Sequence, residues 1–166
     1  TNANNNGTLM MGHSSTYGNN AQDQYSLMLD LIGVSNSLLS FDFIGSTESH
    51  FDGFVMRANG TLLSPLSGVS YDDEAHNHSW IHEGGTLGTL DGSWNSAVTF
   101  DLSAFDNSAL TLDWRFGSDR SVTSSGVVWD NVVVSGDVSA VPEPATFALL
   151  GLGLAGIGFS RKKKVA

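Results

Sequence analysis

The chain has 166 residues, room for one domain of ordinary size and a short appendage, and no cysteine, which excludes disulfide frameworks, thiolate zinc sites and cysteine nucleophiles. Its formal charge of −10 divides unevenly, because four of the seven basic residues are Arg161, Lys162, Lys163 and Lys164. Ahead of Val141 only Arg57, Arg115 and Arg120 stand against sixteen carboxylates, so the body carries about −13, repels phosphate backbones and is not expected to bind nucleic acid.

Residues 1–22 read as a polar N-terminal segment that opens Thr1-Asn2-Ala3-Asn4-Asn5-Asn6-Gly7 and shows no secretory leader. Because the other end of the chain demands export, the start is expected to be processed or truncated. Residues 23–137 read as one all-β domain, rich in the Gly, Ser, Asn, Asp and Thr that favour turns and strands over long helices. Leu27, Leu29 and Leu31 alternate with Met28 and Asp30, and Leu39, Phe41 and Phe43 with Ser40 and Asp42, the period of a half-buried strand. Val98, Phe100 and Leu102 repeat the pattern. Leu110, Leu112, Trp114 and Phe116, set against Thr111, Asp113 and Arg115, give its clearest form. Turn signals at Asn59-Gly60, Gly84-Gly85, Asp91-Gly92, Asp106-Asn107 and Ser124-Ser125-Gly126 punctuate these runs. Short strands, frequent turns and no crossover helix predict an antiparallel β-sandwich with Phe and Trp supplying much of the core.

Between the early and late strands lies Tyr71-Asp72-Asp73-Glu74-Ala75-His76-Asn77-His78-Ser79-Trp80-Ile81-His82-Glu83. If extended, it sets His76, His78, Trp80 and His82 on one side, and imidazoles so placed could hold zinc or copper with Asp72 nearby. A solvated polar loop or edge strand explains the same residues more simply, and no H-E-x-x-H motif accompanies them. The sequence also holds no E-x-D-x-x-E strand motif and no G-x-S-x-G elbow, so no catalytic residue is assigned. Trp80 and Trp94, near glycine-rich turns, could stack on sugar rings or pack in the core.

The stretch Trp94–Val134 contains FDLSAF, LTLDWRFGSD and GVVWDNVVV in order, and resembles the late strands of jelly-roll domains of the concanavalin-like and carbohydrate-binding kind. The resemblance implies a jelly-roll-like sandwich of the type that hosts lectins, adhesins, carbohydrate-binding modules and some hydrolases. It also implies a structural calcium ion at Asp130, where jelly rolls often carry one. On alternation alone, either Asp130 with Val128, Val132 and Val134 or Asn131 with Val127, Trp129 and Val133 faces inward. A buried carboxylate there needs a cation or backbone N–H donors.

Residues 138–144 read as a linker, in which Val141-Pro142-Glu143-Pro144 holds the backbone extended. The uncharged run from Ala145 to Phe159 follows, then Arg161-Lys162-Lys163-Lys164, an order that reads as a stop-transfer pattern with the basic cluster cytoplasmic. Residues 145–166 are therefore expected to form a single hydrophobic, transmembrane-like helix and basic tail, carrying Ala145, Leu149, Leu150, Leu152, Leu154 and Phe159. Fifteen residues rise only about 22 Å as a helix against roughly 30 Å of hydrocarbon. Gly151, Gly153, Gly156 and Gly158 weaken the helix while letting another helix approach. A short, glycine-rich span suits temporary residence beside a membrane enzyme better than permanent anchorage.

Pro142-Glu143-Pro144, the glycine-rich apolar run and the terminal basic cluster together resemble the PEP-CTERM sorting signal of Gram-negative bacteria. That resemblance implies processing by an exosortase, a membrane enzyme, and a link with exopolysaccharide and biofilm. The expected protein is exported, inserted in the inner membrane by its tail before processing, and then held at the cell surface or outside it. Its body is expected to be non-catalytic, structural or polysaccharide-binding. The alternative is a polysaccharide-active hydrolase or lyase on the same sandwich.

Overall fold

The structure is a computed structural model and describes residues 10–72 and 85–138, together with 149, 150, 152 and 154. Nine strands carry the described body: β1 (Met11–Gly12), β2 (Gln22–Asp30), β3 (Val34–Ser46), β4 (Gly53–Ala58), β5 (Thr61–Leu62), β6 (Pro65–Ser67), β7 (Asp91–Asp101), β8 (Ala109–Gly117) and β9 (Gly126–Val138). They form two antiparallel sheets, a larger one ordered β1-β9-β3-β7-β6 and a smaller one ordered β2-β8-β4-β5. Only β4–β5 and β6–β7 pair with their neighbours in sequence; at the other connections from β2 onward the chain passes from one sheet to the other. This is an all-β sandwich consistent with a jelly-roll-like fold. Residues 10–22, set apart from the sandwich in the sequence reading, contribute β1 and the buried side chains of Met10 and Tyr17.

The alternating runs place their side chains as their period demands. Leu39, Phe41 and Phe43 of β3, Val98 and Phe100 of β7, and Leu110, Leu112, Trp114 and Phe116 of β8 are all buried. The sheets meet through aromatic rings: Trp114 of the small sheet stacks on Trp129 of the large one with centroids 5.6 Å apart and planes 3° apart. Phe41 stacks on Phe100 at 5.7 Å and meets Trp114 edge-on at 5.8 Å. The indole N–H groups of both stacked tryptophans are buried without a hydrogen-bond partner among the described residues. Each such orphan donor costs about 1–3 kcal/mol, which the burial of two large rings offsets.

Asn59-Gly60 makes the tight β4–β5 turn that an Asn-Gly pair favours, with φ of 47° and 81°. The Asn59 side chain also accepts a hydrogen bond from the Thr111 N–H at 2.9 Å, fastening the turn to β8. Asp91-Gly92, expected as a turn, instead opens β7. Gly92 has φ of 89°, so its freedom is spent on bending a strand end rather than reversing the chain.

Neither of the two inward sets considered for the last strand is correct as a whole. Val127 and Trp129 are buried, and then Val132 and Val134 pack on the core while Val133 is exposed. The switch of phase occurs at Asn131, whose φ is 53°, where the β3–β9 register shifts between Ser40 and Asp42. A second bulge at Ala97, φ 52°, interrupts β7 on the other flank of β3. One carboxylate serves both: Asp42 accepts the Ala97 N–H at 2.7 Å and the Asn131 side-chain amide at 2.7 Å. Bulges leave backbone groups out of the ladder: Asp42 accepts the one at Ala97, Asp130 the one at Asn131, and the Asn131 side chain ties Asp42 to β9.

Candidate functional site

Two sites stand out on the body. The first is acidic. Carboxylate oxygens of Glu48, Asp52 and Asp119 lie within 4.8 Å of one another where the loops after β3 and β8 meet. Asp52, 1 % exposed, is well served: it accepts the Tyr17 hydroxyl and the Asp119 N–H at 2.9 Å. Burial first, and then this bond to Asp52, push the Tyr17 phenol far above its usual range. Glu48 fares worse, since its Oε2 is buried without a hydrogen-bond partner among the described residues. Withdrawal from water, followed by the charges of Asp119 and Asp52, raises its carboxyl above the ordinary glutamate value. Three carboxylate oxygens are part of the six to eight that calcium takes. Nothing in the local sequence marked this cluster, because its members are 4 and 67 residues apart and meet only through the fold.

The second site lies on the outer face of the large sheet. Trp94 of β7 and Val128 of β9 are both register partners of Ile44 in β3. Directly opposed residues share a face, so these three side chains form a row across three strands, opposite to the buried Val127 and Trp129. Trp94 is 39 % exposed, whereas Trp114 and Trp129 are 3 % and 2 % exposed. The row borders an open cavity of about 280 Å³, lined by Ile44 and Val128 and by hydroxyls from Ser14, Ser15, Thr16, Ser46 and Ser125. Ser46 also lines a second depression of about 440 Å³, where Thr47, Ser49, Thr86 and Thr89 alternate with Asp52, Asp72 and Asp91. Among the described residues no lysine or arginine lines either hollow.

The wall of the first cavity is held by His13. Its Nδ1 accepts the Val127 N–H at 3.0 Å and its Nε2 lies 3.0 Å from the Asp23 carboxylate, linking β9 to β2 across the two sheets. Gly126 is required beneath it: φ is 75°, and a Cβ there would stand 2.5 Å from the imidazole.

Of the residues singled out from the sequence, Asp130 is 8 % exposed and accepts the Asn131 N–H at 2.7 Å. Among the described residues it belongs to no group of three metal-binding side chains. The carboxylates that do converge are those of Glu48, Asp52 and Asp119, which the sequence reading missed. His76, His78 and His82, with Trp80, lie outside the described residues, although Asp72 and Thr86 on either side line the second depression. The sorting residues Val141, Pro142, Glu143 and Pro144 and the basic Arg161, Lys162, Lys163 and Lys164 also lie outside them, as do Ala145, Gly151, Gly153, Gly156, Gly158 and Phe159. Leu149, Leu150, Leu152 and Leu154 are helical and each more than half exposed. Among the described residues no helix is long and apolar enough to cross a membrane.

The tail is decided by comparison. Residues 140–162 match the PEP-CTERM protein-sorting motif. The match spans the Pro-Glu-Pro element, the apolar run and the first basic residues, and leaves the sandwich outside it. A PEP-CTERM motif marks an exported protein sorted by an exosortase at the membrane and directed to the cell surface. No curated protein matches the chain.

Proposed function

We propose that this chain is a non-catalytic component of the cell surface or extracellular matrix, whose sandwich binds extracellular polysaccharide or builds matrix structure after its PEP-CTERM tail has delivered it. The tail inserts transiently in the inner membrane, with the cytoplasmic Arg-Lys-Lys-Lys cluster setting its depth, and presents Pro142-Glu143-Pro144 to the exosortase. The observation that carries this reading is the sorting motif at 140–162 behind a strongly acidic, lysine-free body. Self-repulsion at about −13 favours solubility outside the cell and disfavours anionic partners.

The test is to follow the protein in its host with Pro142-Glu143-Pro144 intact and with all three replaced by alanine. The intact form is expected at the surface or in the matrix with its tail processed, and the alanine form retained in the membrane. Equal release of both forms overturns the sorting role. Turnover of a polysaccharide by the purified protein, abolished by a single carboxylate substitution, overturns the non-catalytic role.

A further inference from the structure

Exposed tryptophan is costly to leave in water, since its ring carries one of the largest apolar surfaces of any side chain. Of the three described tryptophans only Trp94 faces outward, near the start of β7 and beside Ile44 of β3, beyond the short stretch of β7 that β6 covers. Ile44 and Val128 continue its apolar strip across β3 and β9, and Ser14, Thr16, Ser46 and Ser125 line the hollow beside them. An apolar strip flanked by donors and acceptors on flexible hydroxyls matches the two faces of a pyranose chain: C–H bonds on the ring face, hydroxyls at the ring edge.

We infer that the outer face of the large sheet is a binding site for a neutral polysaccharide, with Trp94 stacking on a sugar ring and the Ser46-lined hollow receiving the ring next to it. This rests on the proposed polysaccharide-binding role and supplies its site and ligand class. Charge selects the class. A polyuronate would bring repeated carboxylates toward a body near −13, beside a second hollow lined by Asp52, Asp72 and Asp91, and no described lysine or arginine lines either hollow. Each like-charge approach within a Debye length of about 8 Å is unfavourable. Size also selects against a protein partner, which needs roughly 800 Å² on each side, whereas this strip is three side chains wide. The first cavity, near 280 Å³, falls just below the ~300–1,000 Å³ of pockets that enclose a small ligand. It is open to solvent and shares Ile44 and Val128 with the strip.

The experiment uses the full chain and the host's own secreted polysaccharide, separated on an anion exchanger into a neutral and an acidic pool. Affinity electrophoresis in EDTA measures retardation by each pool for the unmodified protein and for Trp94→Ala, Trp94→Phe and Met28→Ala. Met28, exposed on β2 of the other sheet, controls for loss of any surface apolar group. The neutral pool is expected to retard the protein. Trp94→Ala should weaken that affinity by about tenfold or more, as loss of one ring stack implies. Trp94→Phe is expected to keep most of the affinity and Met28→Ala all of it. Binding to the neutral pool that Trp94→Ala leaves intact overturns the site while sparing the polysaccharide-binding role. Preference for the acidic pool overturns the ligand class. Retardation by neither pool, with alanine replacement of Pro142-Glu143-Pro144 still blocking release, overturns the inference and the binding role but leaves delivery standing.

Discussion

β2 and β8 lie side by side in the small sheet, carry the same alternation and meet in continuous register, yet they differ in depth. Leu112 of β8 is completely buried, while its register partner Leu27 of β2 is 37 % exposed. Leu110, Trp114 and Phe116 are buried in β8, and opposite them in β2 Leu29 is half-buried and Tyr25 exposed. Sequence period decides which face a side chain takes. Position in the sheet decides how much covers it, and β2 is an edge strand with a neighbour on one side only.

The largest expected effect sharpens that contrast within one pair. Leu112→Ala should cost about 2–5 kcal/mol, because a cavity opens in a packed core, whereas Leu27→Ala at the same register should cost about 1 kcal/mol or less. Urea unfolding of both variants at unchanged m value checks this. Equal costs would mean that the edge of the sandwich is covered in solution. The stacked indoles refine the picture at a smaller scale. Trp114→Phe loses ring area but also removes a buried N–H with no partner, so it should cost about 2 kcal/mol or less, against about 3–5 for Trp114→Ala.

A second contrast lies within the large sheet, between the regular part of β3 and the part flanked by bulges. Asp42→Ala removes the acceptor of both the Ala97 N–H and the Asn131 amide. Since hydrogen bonds to a charged group contribute about 1.5–3 kcal/mol when buried, and Asp42 is partly exposed, the variant should lose about 1–2 kcal/mol. Amide exchange should quicken first at Ala97, whose N–H Asp42 accepts, whereas the Asn131 backbone N–H keeps its bond to Asp130. Unchanged protection at Ala97 would show that the β7 bulge holds itself.

These residues also show where sequence reading succeeds and where it stops. Alternation located the inward faces of β3, β7 and β8, and Asn59-Gly60 gave a true hairpin turn, because each is a local property of a few adjacent residues. It failed in β9, where a single left-handed residue at Asn131 joins the two rival inward sets, and in β4, whose run Gly53–Ala58 is buried on both faces and shows no alternation. The tail was legible because its three elements are contiguous in the chain. The outer-face strip and the acidic cluster were not. Trp94, Ile44 and Val128 are brought together by strand register, and Glu48 meets Asp119 through loop packing, so neither has a linear signature.

The smallest expected effect concerns that acidic cluster, and its sign opposes the usual one for a carboxylate. Asp91 and Asp101 accept hydrogen bonds from Ser93 and Ser103, which hold their carboxyls below the ordinary aspartate value. Such groups favour the folded state when ionised, and their contribution fades as pH falls through their lowered values. Glu48 is raised instead, by withdrawal from water and by Asp119 and Asp52. The folded protein therefore holds the Glu48 proton more tightly than the unfolded chain does. Stability falls as pH rises from the ordinary glutamate value through the raised one, and the whole penalty is present at neutral pH. Glu48→Gln removes the charge while keeping the shape, so its Tm should exceed that of the unmodified protein at pH 7 in EDTA. The difference should shrink toward zero as the pH is lowered below the ordinary glutamate range. A Glu48→Gln protein that melts lower than the unmodified one at pH 7 in EDTA would show that the Glu48 charge is compensated in solution, and that the cluster and the well-bonded Asp91 and Asp101 do not differ in kind.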